Sequence, residues 1–147
     1  MVGLVLFGHN GLGRKFYEVA RSILGELPSV EVVDIESGVC CDDIEQRLNK
    51  AIKEVDRGSG VVVLVDLFGG SPANFSLARL VPGKVEVVSG LNLAMLLKFA
   101  DLRSHGLMDP VAMARAVARE GRENILVAGD LLARESHSRP GLQQNGR

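Results

Sequence analysis

The chain reads as a doubly wound α/β domain, and three features carry that reading. Short continuous apolar runs alternate with segments whose apolar residues recur every three or four positions. Gly and Pro punctuate the junctions between them. A length of 147 residues suits one domain that buries roughly two thirds of the surface its unfolded chain exposes. The alternation implies right-handed crossovers and a mainly parallel sheet with helices on both faces.

Val2 to Phe7 is an apolar run closed by Gly8, the pattern of a strand buried on both sides. Leu12, Phe16, Val19, Ala20, Ile23 and Leu24 then recur at helical spacing, with Pro28 just past the expected end at Leu27. Val30 to Ile35 is the second strand, and a helix follows from Cys41 or Asp42 through Ile44, Leu48, Ala51, Ile52 and Val55 to about Arg57. Gly60 to Val65 is the most β-prone stretch and must be central. Ser71-Pro72 offers an N-cap before proline at the first helical position, opening a helix that reaches about Leu80. Lys84 to Ser89 is the fourth strand, Leu91 to Ala100 a helix, Asp109-Pro110 to Glu120 another, and Asn124 to Ala128 a last strand. The domain is expected over residues 1–129, with 130–147 as a flexible tail, because Glu135 to Arg147 loses hydrophobic periodicity.

Composition removes several classes of function. Seventeen basic residues against eighteen acidic ones provide no field that would draw the protein onto nucleic acid or an anionic membrane. One Tyr and no Trp argue against a base-stacking face. Adjacent Cys40 and Cys41 suggest neither a disulfide framework nor a metal site, which fits a reducing cytoplasm. The Val2–Phe7 run is too short for a signal core or a membrane span, so neither export nor insertion is expected.

In an open parallel sheet, ligands bind beyond the C-terminal strand ends where the strand order reverses. The loops there hold Gly8-His9-Asn10-Gly11 after strand one, Asp66 and Phe68-Gly69-Gly70-Ser71-Pro72 after strand three, and Ser89-Gly90-Leu91-Asn92 after strand four. If strands one and three are neighbours, His9 faces Asp66. A carboxylate that accepts the hydrogen on one imidazole nitrogen fixes the tautomer and frees the other nitrogen as a nucleophile. The start of the Ser71 helix, with Gly69 and Gly70, suits an anion such as a phosphoryl group. Each piece has a plainer reading: a histidine in a polar loop, an aspartate as turn former, Gly-Gly-Ser-Pro as a tight turn, Asn92 as a helix cap. Their coincidence at one edge favours a site.

Val65-Asp66-Leu67-Phe68-Gly69-Gly70-Ser71-Pro72-Ala73-Asn74 closely resembles the segment that follows the third strand of mannose-family IIA domains of the bacterial sugar phosphotransferase system. Val88-Ser89-Gly90-Leu91-Asn92-Leu93-Ala94-Met95-Leu96 is similar to their next signature. His9 stands where that family carries its phosphorylated histidine, although Gly8 replaces the usual Ser or Thr, Asn10 a glycine and Gly13 an alanine. The resemblance covers about residues 2–129. It implies a four-stranded parallel sheet with a fifth, antiparallel strand, with Ile125 to Val127 as candidate, exchanged between subunits of a homodimer. It further implies that His9 receives phosphate from the carrier protein HPr and passes it to a IIB component on a separate chain, which serves membrane IIC and IID components. On this resemblance Asp66 orients the ring, Gly69, Gly70, Ser71 and Asn10 surround the phosphoryl group, and no cofactor or metal is required. His105 and His137 have no expected partner.

Rival readings share the architecture. Asp34 or Glu36 at the end of strand two stands where a ribose-binding acid would in a nucleotide or flavin domain, but Gly8 to Gly13 is G-x-x-G-x-G and departs from the dinucleotide fingerprint. A regulatory module, in which phospho-His9 signals to another protein without sugar transport, needs the same residues. The phosphoryl-shuttle subunit of dihydroxyacetone kinase has a similar fold and histidine, but the full Gly-Gly-Ser-Pro-Ala-Asn run is not expected in it.

Overall fold

The structure, a computed structural model, describes residues 1–36, 38–107 and 109–137. In chain order it contains β1 (Gly3–His9), α1 (Leu12–Leu24), β2 (Val30–Ile35), α2 (Cys41–Val55), β3 (Val61–Val65), α3 (Ser71–Leu77), β4 (Val85–Ser89), α4 (Leu93–Ser104), α5 (Pro110–Glu123) and α6 (Ala128–His137). The four strands form one parallel sheet in the order β2-β1-β3-β4. The chain therefore moves outward from β1 to β2, returns to pair β3 on the other side of β1, and continues to β4. The reversal lies between β1 and β3.

β1 and β3 carry uninterrupted apolar sequences because both of their faces are covered. Leu4, Leu6, Val62 and Leu64 pack with Ala20 of α1, Met95 and Phe99 of α4, and Met113 and Val117 of α5. Val5, Phe7, Val63 and Val65 pack on the other face with Ile44, Leu48, Ala51 and Val55 of α2 and Ala73 of α3. Burying one such side chain stabilises the fold by about 2 kcal/mol, so the central strands are its least negotiable part. The four strands lie where the apolar runs predict them, to within two residues at each end.

Helix ends follow local chemistry. Asp109 accepts from the backbone N–H groups of Val111 at 3.1 Å and Ala112 at 3.2 Å, with Pro110 in the first turn of α5. Asn92 caps α4 by accepting from Met95 N at 3.1 Å, and its amide donates to Gly121 O of α5 at 3.1 Å. Gly121 permits that approach, since a Cβ there would lie 2.7 Å from Met95 Cγ. Arg79, just past α3, donates to Asn49 at 2.6 Å and Glu45 at 2.8 Å and ties that end of the short helix to α2.

Three expectations need correction. The helix after β3 starts one residue early: Gly70 is its N-cap and Ser71 its first residue, because Asn74 N already donates to Gly70 O at 3.1 Å. It also ends at Leu77, short of Leu80. Second, Ile125 to Val127 forms no strand among the described residues. Three β-prone residues need an edge to pair with, and within one chain none meets them, so all three side chains stay exposed. Third, the stretch expected to lack structure after Gly129 begins as α6, with Asp130 in its first turn. The remainder of the expected tail, residues 138–147, lies outside the described residues.

Candidate functional site at the sheet switch point

β1 ends in His9 and β3 leads directly into Asp66, and because the two strands pair in parallel with Phe7 opposite Val65, both residues emerge at the same edge. Asp66 Oδ2 accepts from the backbone N–H of His9 at 2.9 Å and lies 2.9 Å from its ring Nδ1. Oδ1 accepts from Leu67 N at 2.8 Å, so both carboxylate oxygens are engaged. The Asp66 side chain is only 7% exposed, against 40% for His9. A carboxylate accepts and does not donate, so in the neutral ring the hydrogen belongs on Nδ1 and the lone pair on Nε2.

The turn after β3 closes on the other side of the ring. Gly69 has φ +87°, a region that L side chains rarely adopt, and Gly70 lies against the imidazole. A Cβ on Gly70 would stand 3.0 Å from His9 Cε1 and 3.5 Å from Nε2, so a side chain there would push into that edge of the ring. Ser71 is exposed at the start of α3, its hydroxyl not used as a cap. Asn10 is exposed beside His9 with φ 47°, and its backbone N–H donates to Ile35 O at 2.9 Å. Leu67 and Phe68 on the same turn are 62% and 70% exposed, an apolar pair within two residues of the acid that holds the ring.

Other candidates fall elsewhere. Asn92 is a cap. His105 is exposed at the end of α4, where its Nδ1 lies 2.8 Å from Asp101 O, far in sequence and fold from the switch point. His137 is the last residue of α6. Among the described residues no group of His, Cys, Asp and Glu could hold a metal ion, and no helix is long and apolar enough to cross a membrane. Cys40 and Cys41 are free and exposed at the start of α2.

Sequence reasoning missed the partner of Asp34. Its carboxylate accepts from Gly13 N at 3.0 Å and Arg14 N at 3.2 Å, the open N–H groups in the first turn of α1. The signal was present, since Gly11 before that helix has no side chain to cap it. Only the register of β2 against β1, with Gly8 opposite Asp34, reveals which acid takes the place of a cap.

A histidine held by an aspartate at the switch point of a doubly wound sheet defines a class: an α/β domain with an oriented, accessible imidazole at its ligand-binding edge. The chain belongs to the mannose-type IIA family of the phosphotransferase system, whose model, described as the PTS system fructose IIA component, matches residues 3–128. It is similar to the PTS system mannose-specific EIIAB component of Escherichia coli K12, 31% identical over 127 residues, covering 82% of this chain and 38% of that protein. The chain thus spans well under half the length of that relative. It is also 25% identical over 122 residues to the PTS system fructose-specific EIIA component of Bacillus subtilis, covering 82% of this chain and 84% of that one. Among solved structures, EIIA from Streptococcus agalactiae superposes with a TM-score of 0.78 at 24% identity, covering 88% of this chain and 99% of that one. The mannose/sorbose IIA subunit from Enterococcus faecalis superposes with a TM-score of 0.76 at 24% identity, covering 86% and 93%. At that identity the structural likeness speaks for the fold alone.

Proposed function

We propose that this domain is a cytoplasmic phosphoryl carrier of the sugar phosphotransferase system. His9 Nε2 attacks the phosphorus of the phosphohistidine on HPr; the N–P bond of the donor breaks, and its electron pair returns to the donor nitrogen. The same chemistry in reverse sense delivers the group from His9 to a IIB component, which serves sugar uptake through membrane IIC and IID components. Asp66 offsets the positive charge that develops on the ring, because its Oδ2 sits 2.9 Å from Nδ1. Backbone around Gly69, Gly70 and Ser71, together with Asn10, surrounds the transferred group. The single observation that carries the reading is this arrangement: one carboxylate oxygen engages both the backbone and the ring of His9, while Nε2 borders Gly70 and the side chain stays partly exposed.

The domain is also proposed to act as a homodimer. β4 has one edge with no strand against it among the described residues, and a groove of about 620 Å³ between β4 and α5 includes Val87, Ser89, Val111 and Arg122. The exposed Ile125-Leu126-Val127 segment of a second copy is the strand that such an edge would take. Introducing a charge as Leu126→Asp lowers the sedimentation-determined mass to that of a monomer; an unchanged dimer removes the segment from the interface.

Incubation with enzyme I, HPr and labelled phosphoenolpyruvate tests the carrier reading. Wild type takes up one acid-labile phosphohistidine, and His9→Ala takes up none. Label retained as phosphohistidine in His9→Ala would sink the assignment. A regulatory role is a second reading, favoured by the 26% identity over 140 residues to the transcriptional regulatory protein LevR of Bacillus subtilis, covering 86% of this chain and 15% of that protein. Loss of sugar uptake on deletion supports transport, and altered transcription with intact uptake supports regulation. The nucleotide reading loses one of its two candidate acids, since Asp34 is engaged by the start of α1.

A further inference from the structure

Asp34 is an acid at this edge that makes no contact with the His9 ring. β1 lies between β2 and β3, so the segment from Gly8 to Gly13 is flanked on both sides. Asp66 grips it from the β3 side through His9. Asp34 grips it from the β2 side through Gly13 N and Arg14 N, and Ile35 O adds a bond from Asn10 N.

The packing is correspondingly close. A Cβ on Gly13 would lie 3.1 Å from Asp34 Oδ1 and 3.3 Å from Val32 Cγ1. A Cβ on Gly8 would lie 3.1 Å from Gly13 N and 3.4 Å from both Asp34 Oδ1 and Asp66 Oδ2. The two carboxylates therefore converge over Gly8, the residue immediately before His9. Without Asp34, two first-turn N–H groups of α1 lose their acceptor, the N-cap Gly11 has no side chain to replace it, and Asp66 alone holds the imidazole.

We propose that Asp34 is a positioning residue for His9, closing the start of α1 so that the Gly8–Gly13 segment holds the ring in register with Asp66. The proposal rests on the carrier reading for its kinetic consequence, but its geometric consequence is independent of that reading. Loss of alignment reduces turnover and leaves recognition of the incoming protein alone.

The test uses Asp34→Ala and Asp34→Asn with phospho-HPr as donor, alongside ¹⁵N spectra of the His9 ring. In Asp34→Ala, kcat falls roughly tenfold with KM for HPr unchanged, and the ring nitrogens shift from the single Nδ1–H tautomer toward a mixture. Asp34→Asn keeps one acceptor and falls in between. Gly8→Ser added to Asp34→Ala restores part of the lost kcat, because its hydroxyl lies near Gly13 N and can accept from it in place of the lost carboxylate. That rescue also separates positioning from misfolding, should Asp34→Ala prove unstable. Wild-type kcat and ring spectra in both Asp34 variants overturn the proposal, as does a rise in KM alone. If wild type accepts no phosphate yet Asp34→Ala still perturbs the ring tautomer, the carrier reading fails and the positioning role stands.

Discussion

Asp34 and Asp66 make an instructive pair. Both follow the same sheet edge, each beside β1, and both come within 3.4 Å of the point where a Cβ on Gly8 would sit. Yet one carboxylate accepts from two backbone N–H groups of a helix start, and the other takes a ring nitrogen besides its two backbone N–H groups. Residue type is identical, so the difference lies in which donors the strand order brings within reach. A carboxylate turned to a helix start serves stability first, whereas one turned to an imidazole decides which nitrogen is free to react.

Substitutions can widen or collapse that contrast. The largest effect is expected from Asp66→Asn, which removes the charge facing Nδ1 and can present an N–H to it. Phosphoryl transfer to His9 should fall by roughly a hundredfold or more, as losing an orienting acid does elsewhere, with circular dichroism and melting temperature nearly unchanged. A rate within threefold of wild type would make the two acids equivalent. Next comes Gly70→Ala, whose methyl group would meet His9 Cε1 at 3.0 Å; transfer should drop roughly tenfold, measured as initial rate of label uptake. An unaffected rate would show that the ring yields freely. The smallest expected change belongs to stability: Asp34→Ala should cost about 1 kcal/mol in urea unfolding, the usual value of a lost helix cap, while Asp66→Ala costs less. The reverse order would mean that Asp66 is the structural member of the pair.

Much of this is legible in the amino-acid sequence alone. The four strands declared themselves because strands covered on both faces must be apolar throughout, and Val61 to Val65 admits no other reading. The pairing of His9 with Asp66 followed from two strand ends and one assumption about adjacency. What stayed hidden depends on distances between segments far apart in the chain. The close approach of Gly70 to the ring is set by how the β3 turn folds back, and the donors of Asp34 by a register that periodicity does not encode. The Asn124–Ala128 segment makes no strand within its own chain for a related reason, since β-propensity states what a segment would favour given a partner, not that its own chain supplies one.

The exposure of His9, at 40% of its side chain, sets a clock on the proposed carrier. An imidazole at a rim can be reached by another macromolecule, but a phosphoryl group placed on it there is also open to solvent. Hydrolysis and handover then compete for the same bond between encounters. If the carrier reading holds, the exposed Leu67 and Phe68 would give an incoming protein a dry footing near the ring, so water would be shed while a partner is docked and would return when it leaves. Residence time on that small apolar step, more than bond strength at His9, would govern how much phosphate reaches its destination.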